Sequence, residues 1–269
     1  MTRSPLLDAY LSRVGFDGAV AADTVTLDRL HLAHLSAIPF ENLDIQMGRP
    51  IRLDPASLEA KLIRGGRGGY CFEQNTLLQQ MLTEVGFETM PCEARVRPAG
   101  STSITPRTHM VLVVTLAGRR FLCDVGFGGD GPLLPVPLDG TPTEQFGNRY
   151  RLASEGPLLV LQRQSAATWV DSYAFVPERR HPIDFEMANW YTSTHPSSRF
   201  VTTLTAQRAL PEARHVLRNL TYTVTDRGGV NTREVQRRDL IPLLGDVFGI
   251  RLPADTRFAA LDGLRPPDP

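Results

Sequence analysis

Four glycines fall within five positions, Gly65, Gly66, Gly68 and Gly69, and the run stops at Tyr70-Cys71, where a helical pattern begins. Such a stretch is backbone with little steric restriction. After it the apolar residues Leu77, Leu78, Met81, Leu82 and Val85 recur at helical spacing, and Gly86 supplies a C-terminal stop. Cys71 is therefore placed in the first turn of a helix. Unpaired backbone N–H groups and the positive end of the helix dipole lie there, and both favour a thiolate over a thiol. A lone cysteine is ordinarily a small buried hydrophobe, so this context by itself makes Cys71 only a candidate nucleophile.

A hairpin strengthens the case. Residues 109–124, His-Met-Val-Leu-Val-Val-Thr-Leu-Ala-Gly-Arg-Arg-Phe-Leu-Cys-Asp, read as two apolar strands around a tight turn at Ala117-Gly118 or Gly118-Arg119. With either two-residue turn Asp124 pairs with Val111 or Val113, which share a face with His109 because strand side chains alternate. The Ala117-Gly118 register makes His109 and Asp124 diagonal neighbours, about 7–8 Å apart at the backbone and within reach of each other's side chains. A three-residue turn would put them on opposite faces. Cysteine, histidine and acid in this order suit a thiol nucleophile: the histidine takes the proton, and the acid fixes its tautomer and stabilises the cation.

Five ordered blocks carry a family resemblance: Ile38-Pro-Phe-Glu-Asn-Leu-Asp44, Arg67-Gly-Gly-Tyr-Cys-Phe-Glu-Gln-Asn75, Thr108-His109, Asp124-Val-Gly-Phe-Gly-Gly129, and residues 190–200, Trp-Tyr-Thr-Ser-Thr-His-Pro-Ser-Ser-Arg-Phe. Together they resemble the arylamine N-acetyltransferase family in its prokaryotic form, from near the N-terminus to about residue 250. The resemblance implies a papain-like core in which Cys71, His109 and Asp124 meet. It also implies a ping-pong transfer of acetyl from acetyl-CoA, through an acetyl-cysteine, to the nitrogen of a small aromatic amine or hydrazine. The resemblance likewise implies acetyl-CoA as a co-substrate and no permanently bound cofactor. Phe40, Val96, Phe127, Gly128, Gly129 and Phe200 are then expected to line the substrate cleft. The same three residues could also serve a papain-like hydrolase or a transglutaminase-type, amide-forming enzyme.

The fold expected is α+β. A helical N-terminal bundle (1–85) carries Cys71, an antiparallel barrel-like unit (86–195) carries His109 and Asp124, and a mixed α/β lid (196–269) closes the cleft. Apolar stripes at Leu7, Tyr10, Leu11 and Val14, and at Leu27, Leu30, Leu35 and Ile38, mark two early helices, the second with cap candidates Thr24 and Thr26 and a stop at Pro39. His31 and His34 lack a clear third ligand at metal-site spacing and read as a polar helix face, so no metal is expected. Period-two alternation from Met90 to Val96 marks a half-buried strand, and Cys92 and Cys123 read as core. Strands are expected around 149–153, 157–164 and 168–176. A short helix is expected over Pro182–Tyr191, with strands near 200–208 and 219–225, a turn at Arg227–Gly229, and a closing helix from Asp239 to about Phe248. The tail Arg265–Pro269 is expected to be disordered.

His181, the rival histidine, starts a helix with no strand partner to orient it. Neither glycine run has the spacing of a nucleotide phosphate loop. At 269 residues, 42% hydrophobic, 22% charged and net charge zero, the chain suits two or three packed units, and its charge asks for neither nucleic acid nor an anionic membrane. Apolar runs are too short for a membrane helix and no apolar signal core opens the chain. Three cysteines without close spacing suit a reducing cytoplasm. Oligomeric state is left open, a homodimer included.

Overall fold

Helix α1 (Pro5–Val14) opens the chain in the computed structural model, which describes residues 3–98 and 103–263. Ser4 caps it by accepting from Leu7 N, Gly15 closes it in the left-handed region, and its buried residues are those of the expected apolar stripe. Helix α2 (Thr24–Ala37) is capped one residue ahead of the expected threonines. Asp23 accepts from Thr26 N at 2.7 Å, an acid being both a good cap and a favourable charge at a helix N-terminus. Then follow a two-residue strand β1 (Phe40–Glu41), helical turns α3 (Leu43–Gln46) and α4 (Pro55–Leu58), a π-helical turn Glu59–Arg64, and helix α5 (Cys71–Val85), which Gly86 terminates.

Eight antiparallel strands come next: β2 (Glu88–Val96), β3 (His109–Leu116), β4 (Arg119–Cys123), β5 (Val136–Pro137), β6 (Thr143–Gln145), β7 (Asn148–Glu155), β8 (Leu158–Ser165) and β9 (Thr168–Phe175). They form one sheet in the order β5-β4-β3-β2-β9-β8-β7-β6, which curls until β5 at one edge contacts β7 beside the other. A register shift at Leu161/Gln162 marks a bulge between β8 and β9. Strand β3 is buried on both faces. Met110, Leu112 and Val114 pack with the helical core, whereas Val111 and Val113 point into the barrel with Tyr150, Leu161 and Tyr173. The near-continuous apolar run of β3 follows from this double burial.

Helices α6 (Pro182–Thr194) and α7 (Arg199–Thr202) lead to strands β10 (Thr205–Ala209), β11 (Ala213–Arg218), β12 (Thr221–Asp226) and β13 (Gly229–Glu234), then helices α8 (Arg237–Phe248) and α9 (Ala259–Asp262). The sheet here runs β1-β10-β11-β12-β13, and four corrections fall in this region. Phe40–Glu41, placed among helices by the sequence, is its edge strand, paired with Ala206–Gln207; two residues are too few to show a period. Phe200, expected in a strand, lies in α7, whose N-terminus Ser198 caps. Strand β11 was not expected, and the closing helix starts at Arg237 rather than Asp239. The tail Arg265–Pro269 lies outside the described residues.

His31 and His34 are not a polar surface: they are 1% and 0% exposed. His34 Nε2 donates to Gln74 Oε1 at 2.6 Å while its Nδ1 accepts from Tyr10 Oη at 3.0 Å. Burial, only partly offset by Gln74, pushes His34 down to about 3, so the ring is neutral. An i, i+3 histidine pair on an apolar stripe is buried with it, and each ring then needs a partner.

The double burial of β3 sets an energetic expectation. Leu112 is fully buried against the helical core, so Leu112→Ala removes packed methyl groups and leaves a cavity. It should destabilise the protein by about 2–5 kcal/mol in urea unfolding, with the m-value unchanged.

Candidate functional site

The start of α5 is fixed from several sides. Tyr70 is extended, and the Glu73 carboxylate reaches back to accept Tyr70 N at 3.1 Å. Gln74 Nε2 donates to Pro39 O at 2.8 Å and Gly69 O at 3.2 Å. Gly68 passes so close to β1 that a Cβ there would lie 2.0 Å from Pro39 O. The glycine run thus serves close approach of backbone to backbone. Arg67 donates twice to Glu41 Oε1, at 2.9 and 2.7 Å, and ties the same loop to β1. Cys71, 3% exposed, points its Sγ at Thr108 O, 3.6 Å away.

The hairpin carries the partners. Leu116 pairs with Arg119, so the turn is Ala117-Gly118, with both residues at positive φ (49° and 77°) as a type I′ turn requires. His109 and Asp124 then share a face, and His109 Nε2 donates to Asp124 Oδ2 at 2.7 Å. Nδ1 is the ring nitrogen that Asp124 does not engage, and Cys71 lies beside His109, its Sγ on the carbonyl of the preceding Thr108. Asp124 Oδ1 accepts from Asn75 Nδ2 at 3.0 Å and Gly126 N at 2.9 Å. Its backbone N donates to His31 Nε2 at 3.0 Å, and His31 Nδ1 donates to Leu133 O at 2.9 Å. Gly126 lies against α5 itself, where a Cβ would come within 2.5 Å of Cys71 Cα. Helix, hairpin and loop therefore meet at one point.

Electrostatics follow from this geometry. Burial of His109 opposes its cation, but the charge and hydrogen bond of Asp124, with a further contribution from Cys71, outweigh burial and push it up to about 10. Burial likewise opposes ionisation of Asp124, yet His109, Asn75 and Gly126 hold its carboxyl below the usual range. An imidazolium–carboxylate pair is thus the neutral-pH state. By contrast, burial pushes the Cys92 thiol up to about 12 and raises that of Cys123 well above its ordinary value. Both are core residues, as expected.

The expected lining residues fall into three groups. Phe127 is half-buried, its ring 5.3 Å from His109 and 5.0 Å from Tyr173. Val96, also half-buried, is the β2 partner of Tyr173. Phe40 packs on Phe200 at 6.0 Å, and Phe200 stands edge-on to Tyr70 at 5.5 Å, next in sequence to Cys71. Gly128 and Gly129 are turned toward the C-terminal sheet: Gly129 N donates to Gln207 Oε1, and Gly129 O accepts from Arg214. His181 is the exposed N-cap residue of α6. A cavity of about 270 Å³ opens between α6 and the segment before β3, lined by Glu93, Pro106, Arg107, Thr108, Asp184, Met187, Ala188 and Tyr191.

Sequence reasoning missed Asn75, Tyr173, His31, Gln207 and Arg214. Asn75 carried a signal, since it follows Cys71 by four residues and so shares its helix face. Its amide bridges Met110 O, Asp124 and Val125 N. Tyr173, fully buried, packs tilted against the His109 ring at 4.9 Å, and burial followed by the Asp124 charge keeps its proton on. Nothing local distinguishes it from other aromatic strand residues, and nothing local marks Gln207 or Arg214.

Residues 23–257 match a family model described as N-acetyltransferase. An arylamine N-acetyltransferase from Mycolicibacterium smegmatis is 39% identical over 253 residues, 91% of this chain and 92% of its own. One from Escherichia coli is 37% identical over 240 residues, 88% of this chain and 84% of its own. Among solved structures, the arylamine N-acetyltransferase of Mycobacterium marinum in complex with CoA superposes with a TM-score of 0.89 at 35% identity, over 96% of this chain and 99% of that one.

Asp124→Asn removes the charge that holds the His109 proton, leaving burial to dominate. The imidazole should then titrate below its ordinary value of about 6.5, whereas in the wild type it stays protonated until about pH 10. Imidazole ¹⁵N NMR distinguishes the two. Because the folded value is raised, the pair's stability contribution is complete below about pH 6.5 and is lost as pH rises toward about 10. That alkaline decline should be absent from the variant.

Proposed function

The chain belongs to the arylamine N-acetyltransferase family, and on that premise we propose that it transfers acetyl from acetyl-CoA to an arylamine or arylhydrazine through an acetyl-cysteine at Cys71. The observation that carries the reading is the junction of Cys71, at the N-terminus of α5, with the hydrogen-bonded pair of His109 and Asp124. In the first half-reaction the Cys71 sulfur attacks the thioester carbonyl, the carbonyl electrons shift to oxygen, and the carbon–sulfur bond to CoA breaks as the tetrahedral species collapses. His109 supplies the proton to the departing CoA thiolate. In the second, the acceptor nitrogen attacks the acetyl-cysteine, His109 takes the nitrogen's proton, and Cys71 leaves as the thiolate. Backbone N–H groups at the start of α5, that of Cys71 among them, are suited to the oxyanion of both tetrahedral species.

Asp124 acts on His109 by orientation and charge and does not need to accept the proton itself. Phe127, with Tyr173, places aromatic surface on the His109 ring, which favours a flat aromatic acceptor. Phe40 and Phe200 wall the cleft on the Tyr70 side and Val96 lies beside Tyr173, while Gly128 and Gly129 hold the Phe127 loop against the C-terminal sheet. In this reading the nucleophile comes from a helical unit (1–85), histidine and acid from a barrel unit (86–195), and the lid from 196–269. No helix among the described residues is long and apolar enough to cross a membrane. The three free thiols fit a reducing cytoplasm.

Cys71→Ser tests the nucleophile. A hydroxyl is nearly isosteric but far less acidic, so acetyl transfer should fall at least about a hundredfold with the fold retained. Incubation with acetyl-CoA alone, followed by mass spectrometry, should find the acetyl group on Cys71 of the wild type. Acetyl on Cys92, or water or a peptide amine outcompeting arylamines as acceptor, would overturn the reading, the latter in favour of a hydrolase or transglutaminase-type enzyme.

The acceptor half is tested by Phe127→Ala. Arylamine turnover should fall about 2- to 12-fold, the equivalent of the roughly 0.5–1.5 kcal/mol of one aromatic pair. CoA release in a single turnover should barely change. Equal loss in both would mean that Phe127 only supports the loop.

A further inference from the structure

We propose that Lys61 is a positioning residue for Cys71, acting through Glu73. The inference rests on the reading of Cys71 as the nucleophile. Lys61 is the only lysine in the sequence, and it lies in the π-helical turn that precedes the glycine run. Its ammonium sits 2.7 Å from Asp44 Oδ2 and 2.7 Å from Glu73 Oε1, with only 17% of its side chain exposed. The other Glu73 oxygen accepts Tyr70 N, the backbone amide immediately before Cys71. Lys61, Glu73 and Tyr70 thus form one line of contact from the π-helical turn to the first turn of α5.

The chemistry of the line explains why a cation is needed at its end. Glu73 is 1% exposed, and Glu41 and Asp44 lie in the same cluster, opposed by Lys61 and Arg67. Burial pushes Glu73 up, to about 7 even with Lys61 beside it. Without the ammonium the balance would move further toward the protonated carboxyl, which is a weaker acceptor for Tyr70 N–H and does not complement the helix N-terminus. The Tyr70-Cys71 junction would loosen, and displacement of a reacting atom by about 1 Å can cost on the order of a hundredfold in rate.

The test reads the thiol directly. Carbamidomethylation of Cys71 by iodoacetamide, mapped by mass spectrometry, should slow about tenfold in Lys61→Met and return to within about threefold of wild type in Lys61→Arg, which restores a cation. Acetylation of Cys71 in a single turnover should follow the same order. Glu73→Gln keeps an acceptor oxygen for Tyr70 N but carries no charge, so Lys61→Met/Glu73→Gln should be no slower than Glu73→Gln alone. Lys61→Met within about twofold of wild type, or a double variant about tenfold slower than Glu73→Gln, would overturn the proposal. If Lys61→Met does not fold, the rate of the double variant relative to Glu73→Gln decides whether Lys61 acts through Glu73. Because alkylation needs no acetyl donor, this outcome is separate from that of Cys71→Ser, which tests the nucleophile itself.

Discussion

A single buried carboxylate organises the centre of this molecule. Asp124 is 1% exposed, and an ion removed from water carries a penalty of several kcal/mol unless its partners are in place. Those partners come from separate parts of the chain: His109 across the hairpin, Asn75 from α5, and Gly126 from the loop that follows. His31 from α2 holds the residue's backbone N. Satisfying one charge therefore brings helix, strand and loop to the same point. The proposed nucleophile is carried there by the helix that supplies Asn75.

The second constraint is the approach of the glycine loop to β1. The backbone of residues 65–69 runs against Pro39 with no room for a side chain at Gly68. Around it Arg67, Lys61, Glu41, Asp44 and Glu73 bind their charges to one another. Removing one member of such a cluster leaves its partner buried and unpaired, which is costly even where the intact pair adds little net stability. The loop is thereby held in one conformation, and helix α5 begins at a defined residue.

The C-terminal sheet completes this frame by contacts that are distant in sequence. Its edge strand β1 comes from the N-terminal part, and its Gln207 and Arg214 hold the backbone of Gly129. Phe127, two residues earlier, is thus anchored where its ring meets His109 and Tyr173. Glycine at positions 128 and 129 reads as well as a backbone clasped by a neighbouring sheet as it does as a surface kept open for a ligand.

Local pattern was enough to place much of this in advance. A period of 3.6 after the glycine run put Cys71 at a helix start. A period of two on either side of a tight turn put His109 and Asp124 on one face, given the Ala117-Gly118 register that the structure contains. These follow from backbone geometry over a few residues, which the sequence writes directly. What only the tertiary structure decided depends on which distant segments touch. It includes the strand made of Phe40–Glu41, the burial of His31 and His34, and the bracing of Asp124 by Asn75 and His31. It also includes the packing of Tyr173 against His109 and Phe127 and the clasp of Gly129 by Gln207 and Arg214. Each is a polar or aromatic side chain whose local context is that of an ordinary helix, strand or loop residue. Its place is set by the need of a buried group for a partner, and that need arises only once the chain has closed around it.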